Sequence, residues 1–198
     1  KAGRNEHGAT IFGYWVKDEF LNLKYTSLSC EIKNKLLEDE QFWNIIGYQQ
    51  WILFQSLHRI YIFDTVQNTF RIINSKPNLP KIFPVGNQIY FQKKDEGVFR
   101  LENGKTLLIS DAPVLRDNII INIFDYRNKL LIQTQEKGFY IFENGQISQW
   151  QTPATSKINS LSIYCSLQLH DGSFVLGTIG EGVYLMSKDG TITAHIDK

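Results

Sequence analysis

"GTIGEGVY", residues 177–184, decides the fold. Glycines at 177, 180 and 182 suit two structures, a loop that cradles phosphate or the bent hairpin of a repeated β-sheet. A phosphate loop follows a strand and opens a helix whose N-terminus faces the anion, with GxGxxG or GxxxxGK[ST] spacing. Here the glycines are followed by "VYLM" and then by the turn pair Asp189-Gly190, and the spacing is neither. The hairpin reading follows. Gly177 ends one strand, Gly180 lies in the turn and Gly182 starts the next strand, where glycine relieves crowding at a tight, twisted corner.

The same layout recurs upstream. "GYQQWILFQSLHRIYIFDTVQNTFRII" (47–73), "GNQIYFQKKDEGVFRLENGKTLLI" (86–109) and "YRNKLLIQTQEKGFYIFENGQISQW" (126–150) align with "HDGSFVLGTIGEGVYLMSKDGTITAH" (170–195). Phe54-Gln55, Phe91-Gln92 and Ile132-Gln133 match Leu176-Gly177. Gly97, Gly138 and Gly182 match one another, with Arg59 in that place in the first copy. Aromatics follow at Tyr61, Phe99, Tyr140 and Tyr184, spaced by 38, 41 and 44 residues. A period of about 40 to 50 residues is that of four-stranded propeller blades.

Each copy parses as four strands. Gln67-Asn68, Asn103-Gly104, Asn144-Gly145 and Asp189-Gly190 separate the third from the fourth, and Asp171-Gly172 turns the chain earlier in the last copy. Asn-Gly and Asp-Gly favour hairpins because both central residues of a type I′ turn need positive φ. Strand interiors such as "WILF" and "IYIF" are apolar at consecutive positions, the pattern of a sheet covered on both faces. The expected fold class is all-β, with complete antiparallel blades near 42–74, 81–111, 118–152 and 161–196. A two-stranded partial blade at 10–28 precedes them, the whole 1–198 being one partial propeller domain and an open arc of a larger one. "EIKNKLLEDEQ" (31–41) is the sole helix candidate. "SKPNLPKIFP" (75–84) and "SDAPVLRD" (110–117) read as the longer loops between blades.

Charge and composition exclude several classes. The 21 basic and 20 acidic residues leave a net charge of +1, which provides no footprint for nucleic acid and no polybasic membrane patch. No apolar run approaches the roughly 20 residues that span a bilayer. The chain lacks an initiating Met, its one Met being Met186, and is expected to be an excised piece of a longer protein. Cys30 and Cys165 have no CxxC partner, so a disulfide framework is excluded while a single bridge between them stays open. Cys165 reads as a buried small hydrophobe.

"LHDGSFVLGTIGEGVYLMSKDG" resembles the regulator-propeller repeat of two-component sensors, roughly D-G-x-x-W-x-G-T-x-x-G-G-L. Asp171, Gly172, Gly177, Thr178 and Gly182 match, while Phe174 and Val175 replace the aromatic strand centre. The N-terminal "IFGYW…LKYTSLS" is similar to the opening blades of large propeller regulators with a triple-tyrosine module and a LuxR-type DNA-binding or histidine-kinase output. The resemblance implies a periplasmic or otherwise extracytoplasmic input region of a membrane-anchored bacterial protein. That region would be many blades long and sense a ligand, often glycan-derived, for an output module elsewhere.

Residue chemistry for catalysis is sparse. His7, His58, His170 and His195 show no metal-ligand spacing, no GxSxG elbow occurs, and no catalytic residues, metal or cofactor are expected. Acidic runs such as Glu38-Asp39-Glu40 read as solvated loop charge. The turns between second and third strands share one face of a propeller. There His58, Arg59, Lys94, Glu136 and Glu181 form the candidate ligand-binding set, beside the plainer reading of ordinary surface. Strand aromatics read as packing between blades, with Trp43 and Trp150 as the candidates for exposure. A non-enzymatic sensor domain leads, and a carbohydrate-active propeller enzyme and a protein–protein platform remain as alternatives. Expected partners are a small-molecule or oligosaccharide ligand and the remaining blades and output module of the parent. The terminal blades are expected to expose Phe12, Trp15, Val183 and Leu185, and so to favour self-association.

Overall fold

A computed structural model of the chain describes residues 2–4, 10–36, 40–74 and 81–197. His7, Leu37 with Glu38 and Asp39, and most of the proline-containing loop (75–80) lie outside the described residues. The chain forms two compact units, residues 1–80 and 81–198.

In the first unit, sheet I contains β1 (Ala2–Arg4), β2 (Thr10–Lys17) and β3 (Leu23–Ser27). A 3-10 helix, Ser29–Lys35, leads towards sheet II. Sheet II is the antiparallel meander β4 (Phe42–Tyr48), β5 (Trp51–Ser56), β6 (Arg59–Asp64) and β7 (Thr69–Asn74). The partial blade therefore has three strands rather than two, because Ala2–Arg4 pairs with Thr10–Phe12. The two sheets meet through aromatic rings. Phe12 lies 4.8 Å from both Phe42 and Phe54, and Tyr14 stacks on Phe63 at 6.2 Å. Phe12 was expected at an exposed face, yet it is 0% exposed, since this packing and Leu28 and Ile32 beside it form the core of the unit.

The second unit contains three meanders. Sheet III has β8 (Ile82–Val85), β9 (Gln88–Lys93), β10 (Gly97–Glu102) and β11 (Lys105–Ser110). Sheet IV has β12 (Ile120–Tyr126), β13 (Lys129–Thr134), β14 (Phe139–Glu143) and β15 (Gln146–Gln149). Sheet V has β16 (Ile163–Gln168), β17 (Phe174–Thr178), β18 (Val183–Met186) and β19 (Ile192–Ile196). Neighbouring first strands meet, β12 contacting both β8 and β16. Phe83, Tyr90, Val98, Ile123 and Ile132 fill the III–IV layer. In the IV–V layer Phe174 lies 5.2 Å from Phe124, 6.0 Å from Phe139 and 6.1 Å from Trp150. Trp150 is thus buried, not exposed as its strand-end position suggested, because Tyr126 and Phe139 also close on it.

The connectors hold two short helices: α1 (Pro113–Arg116), in the stretch 110–117 that reads as a loop, and α2 (Thr155–Ser160), between the third and fourth expected blades. Each is one or two turns long and buries an aliphatic side chain, Leu115 or Ile158. One buried residue leaves no periodicity to read, although Pro113 occupies the favoured first helical position. The remaining expected helix begins at Ser29, two residues earlier than 31–41 indicated, and is 3-10 in character.

Buried polar groups tie connector to blade. Gln92 donates from Nε2 to the carbonyls of Leu115 (2.7 Å) and Asn118 (2.6 Å), and its Oε1 accepts from Ile120 N–H at 2.9 Å. Gln133 occupies the same place in sheet IV and is 0% exposed, but its Oε1 and Nε2 have no partner among the described residues. Cys165 is exposed rather than buried. Its cross-strand row runs through Gly177, Val183 and Ile196, on the face of sheet V turned away from the IV–V core. Val183 and Leu185 on that face are half-buried.

Two expected outcomes follow from these contacts. Gly182 has φ +75°, and a Cβ there would stand 2.2 Å from the Ile196 carbonyl oxygen. Gly182→Ala should therefore lose on the order of 1–3 kcal/mol or more in urea unfolding. Gly47→Ala, with open space around it, should stay within about 0.5 kcal/mol. Gln92→Leu, which strands three backbone groups, should cost about 3 kcal/mol, whereas Gln133→Leu should change stability by less than about 1 kcal/mol. Equal losses in the two glutamine variants would contradict the assigned hydrogen bonds.

Candidate functional site

The five expected ligand residues all lie at second-to-third-strand turns. A hydroxyl at the end of the second strand builds three of these turns. Thr178 Oγ1 donates to Gly182 O at 2.8 Å and accepts from Glu181 N–H at 3.0 Å. Thr134 does the same with Gly138 and Lys137, and Ser56 with Arg59. Sheet III places Lys93 there instead, with its ammonium 3.4 Å from Glu96 and 4.5 Å from the centre of the Phe99 ring. The turns are thereby self-satisfied, and His58 and Glu136 at intervening positions are exposed.

In the first unit, His58 is exposed and Arg59 half-buried. Arg59 Nη1 lies 3.4 Å from Tyr61 Oη, which donates to the buried carboxylate of Glu40. Burial, reinforced by the Glu40 bond, raises the Tyr61 hydroxyl well above its ordinary pKa. In the second unit, Lys94 is half-buried and Glu136 exposed. Glu181 is engaged locally. It accepts from Lys157 Nζ at 3.0 Å and from Tyr184 Oη at 3.3 Å, and His195 Nε2 approaches its carbonyl at 2.7 Å while stacking on Tyr184 at 4.1 Å. This cluster joins α2 to the turn and last strand of sheet V.

A cleft of about 490 Å³ opens at the other end of the strands, between sheets III and IV. Val85, Tyr90, Leu130 and Phe142 supply its apolar lining, and Arg100, Asp125, Lys129 and Glu143 its charged groups. Lys129 pairs with Glu143 at 2.7 Å. Arg100 reaches Glu102 through Nη2 at 3.2 Å, while its Nε is buried without a partner among the described residues. The cleft mixes apolar with charged and amide side chains in comparable measure. The sequence does not show it, because many of its residues come from first-to-second and third-to-fourth hairpins, where Asn144 reads only as a turn former.

Among the described residues, no three His, Cys, Asp or Glu side chains gather as a metal site, and no helix is long and apolar enough to cross a membrane.

No protein-family model matches the chain, and no curated protein matches it. Solved structures do. The extracellular domain of BT4673 from B. thetaiotaomicron is similar in two structures, described in one as a hybrid two-component system and in the other as a one-component system. The first shares 18% identity and a TM-score of 0.58, over 82% of this chain and 22% of that one. The second shares 15% identity and a TM-score of 0.60, over 98% and 28%. YCF48 bound to D1 peptide gives 11% identity and a TM-score of 0.54, over 99% and 64%. The chain therefore spans less than a third of the BT4673 domains. Its fold is all-β, built of the four-stranded antiparallel blades of β-propellers.

The Lys157 contact holds the Glu181 carboxyl below its ordinary range. A depressed carboxyl stabilises the fold above the unfolded pKa and loses that contribution as pH falls through the folded value. NMR titration should show Glu181 titrating below an ordinary glutamate, and Lys157→Ala should move its midpoint upward. An unmoved midpoint would remove Lys157 as the cause.

Proposed function

We propose that the chain is part of the non-enzymatic, extracytoplasmic input region of a bacterial signalling receptor, and that the III–IV cleft takes its ligand. The cleft carries the proposal. It combines walls from two successive blades, so a ligand touching both favours one spacing of the sheets over another, and that difference is what a sensor transmits. The likeness to extracellular domains of two-component proteins supports the same reading. Tyr90 and Phe142 beside paired charges suit a polar ligand with an apolar face, such as an oligosaccharide fragment. The outer face of sheet V, with Leu167 59% exposed and Ile196 58% exposed, fits coverage by a further blade of the parent protein, and an output module lies elsewhere in it.

The test is thermal shift and calorimetry with a panel of oligosaccharides and small polar metabolites. A ligand that binds only the folded state raises Tm. A hit should be weakened about tenfold or more by Asp125→Ala or by Lys129→Ala with Tm of the free protein little changed. Loss of the hit on Glu136→Ala instead would place the site at the opposite turns. Release of shortened oligosaccharide would favour the enzyme reading.

A further inference from the structure

The two junctions of the second unit use the same parts but bond them differently. Gln92 lies opposite Val98 in sheet III, and Gln133 lies opposite Phe139 in sheet IV, the same register position. The connectors also match when counted back from the next sheet. Leu115 and Ile158, the buried residues of α1 and α2, stand equally far before Ile120 and Ile163, which open the following first strands.

At the III–IV junction Gln92 Nε2 donates to the Leu115 carbonyl, and its Oε1 accepts from Ile120 N–H. At the IV–V junction the corresponding backbone groups are engaged elsewhere. Ile163 N–H donates to the Gln135 carbonyl at 3.1 Å, and the Ile158 carbonyl accepts from Leu161 N–H at 3.1 Å, closing the last turn of α2. Gln133, 0% exposed, keeps both amide atoms without a partner among the described residues. The difference has a local cause. α2 runs to Ser160, one residue nearer to its first strand than α1, which ends at Arg116, so α2 retains a carbonyl that α1 releases.

We propose that the IV–V junction is a two-state latch, in which the last turn of α2 opens and passes the Ile158 carbonyl and the Ile163 N–H to the side chain of Gln133. The second state is the arrangement that Gln92 already holds. Closed, the junction makes two backbone bonds and leaves a buried amide unpaired, which is unfavourable. Open, Gln133 is paired and those two backbone bonds are given up. Neither state has the advantage in bonds made, and near balance is what a bistable element requires. Packing permits both, because Leu115 stays buried in the open arrangement as Ile158 does in the closed one. The same turn ties α2 to sheet V. Lys157 Nζ donates to Glu181 at 3.0 Å, and the Lys157 carbonyl accepts from Ser160 Oγ at 2.7 Å. Opening the turn loosens that tie, so the latch sets how firmly sheet V is held to its connector.

Relaxation-dispersion NMR on the chain tests this, since local openings fall in the microsecond-to-millisecond range. The N–H groups of Leu161 and Ile163 and the side-chain amide of Gln133 should show exchange, while Ile120 and the Gln92 amide stay flat. Lys157→Ala should raise the open population about two- to fivefold, the effect of losing an exposed ion pair. Gln133→Leu, and Gln133→Met, which keeps the length of the side chain without its amide, should abolish the exchange at Ile163 while the Ile163–Gln135 hydrogen bond persists. Flat profiles at Leu161 and Ile163 in the unsubstituted chain would overturn the proposal. So would exchange that survives either substitution at Gln133, or a long-lived water held by the Gln133 amide with flat profiles around it.

Discussion

A twisted sheet that is apolar on both faces has to be stacked on both faces, and that constraint organises each unit. Phe174 illustrates it. Its ring belongs to sheet V but sits among Phe124, Phe139 and Trp150 of sheet IV, so sheet V buries its own second strand only by burying its neighbour's outer strands. At about 25 cal/mol per Å² of apolar surface, rings of this size dominate the layer. Phe12 plays the corresponding part between sheets I and II. No sheet has a core of its own, so the register of each depends on the one beside it.

Stacking leaves the backbone ends of the sheets to be satisfied, and the chain meets that need repeatedly with the same few groups. The residue that opens the second-to-third turn donates to the residue before the first strand of its own sheet: Gln135 N–H to Ile119 O and Ile179 N–H to Ser162 O, both at 2.9 Å. Thr134, Thr178 and Ser56 close the turn itself. Gln92 then fastens the connector into the next sheet. With one end of each blade tied in this way, polar side chains elsewhere are left to line openings, as Arg100 and Asp125 do in the III–IV cleft. Lys81 marks the same economy on the first strands. Its Nζ reaches the Ile121 carbonyl at 2.6 Å, and partial desolvation of the ammonium there lowers its pKa from that of an ordinary lysine.

The strands were legible because their signals are local. "WILFQ" and "GVFRL" each fall within a strand, "TITAH" starts one residue before one, and Asn103-Gly104 and Asn144-Gly145 adopt the paired positive φ that the turn type requires. Asp189-Gly190 was read with them, but only Gly190 has positive φ, and the Asp189 carboxylate takes the Thr191 N–H instead. What was not legible depends on partners distant in sequence. Each of β4, β12 and β16 has a register shift near its start, at Trp43, Ile121 and Tyr164. No turn residue marks these shifts, because a bulge is imposed by the pairing strand. Cys165 and Trp150 were assigned opposite exposures to those found, since burial on a stacked sheet depends on which face the neighbouring sheet covers. The cleft escaped for the same reason. Tyr90 and Phe142 are 52 residues apart and read separately as packing residues.

Backbone strain is concentrated in the hairpin turns. Among the described non-glycine residues with positive φ, Asn68, Asp95, Asn103, Arg127, Asn128 and Asn144 all stand in hairpin turns, as does Gln49, and all have polar side chains. Asn and Asp tolerate this region because their short side chains bond to nearby backbone. Leu21 has no such compensation, and its side chain makes its main contact with solvent. Asp18 supplies the restraint that holds it there. A turn formed by Asn-Gly would have met every structural need of sheet I at lower conformational cost. Leu21 therefore holds its conformation on the backbone and carboxylate bonds of Asp18 rather than on chemistry of its own side chain.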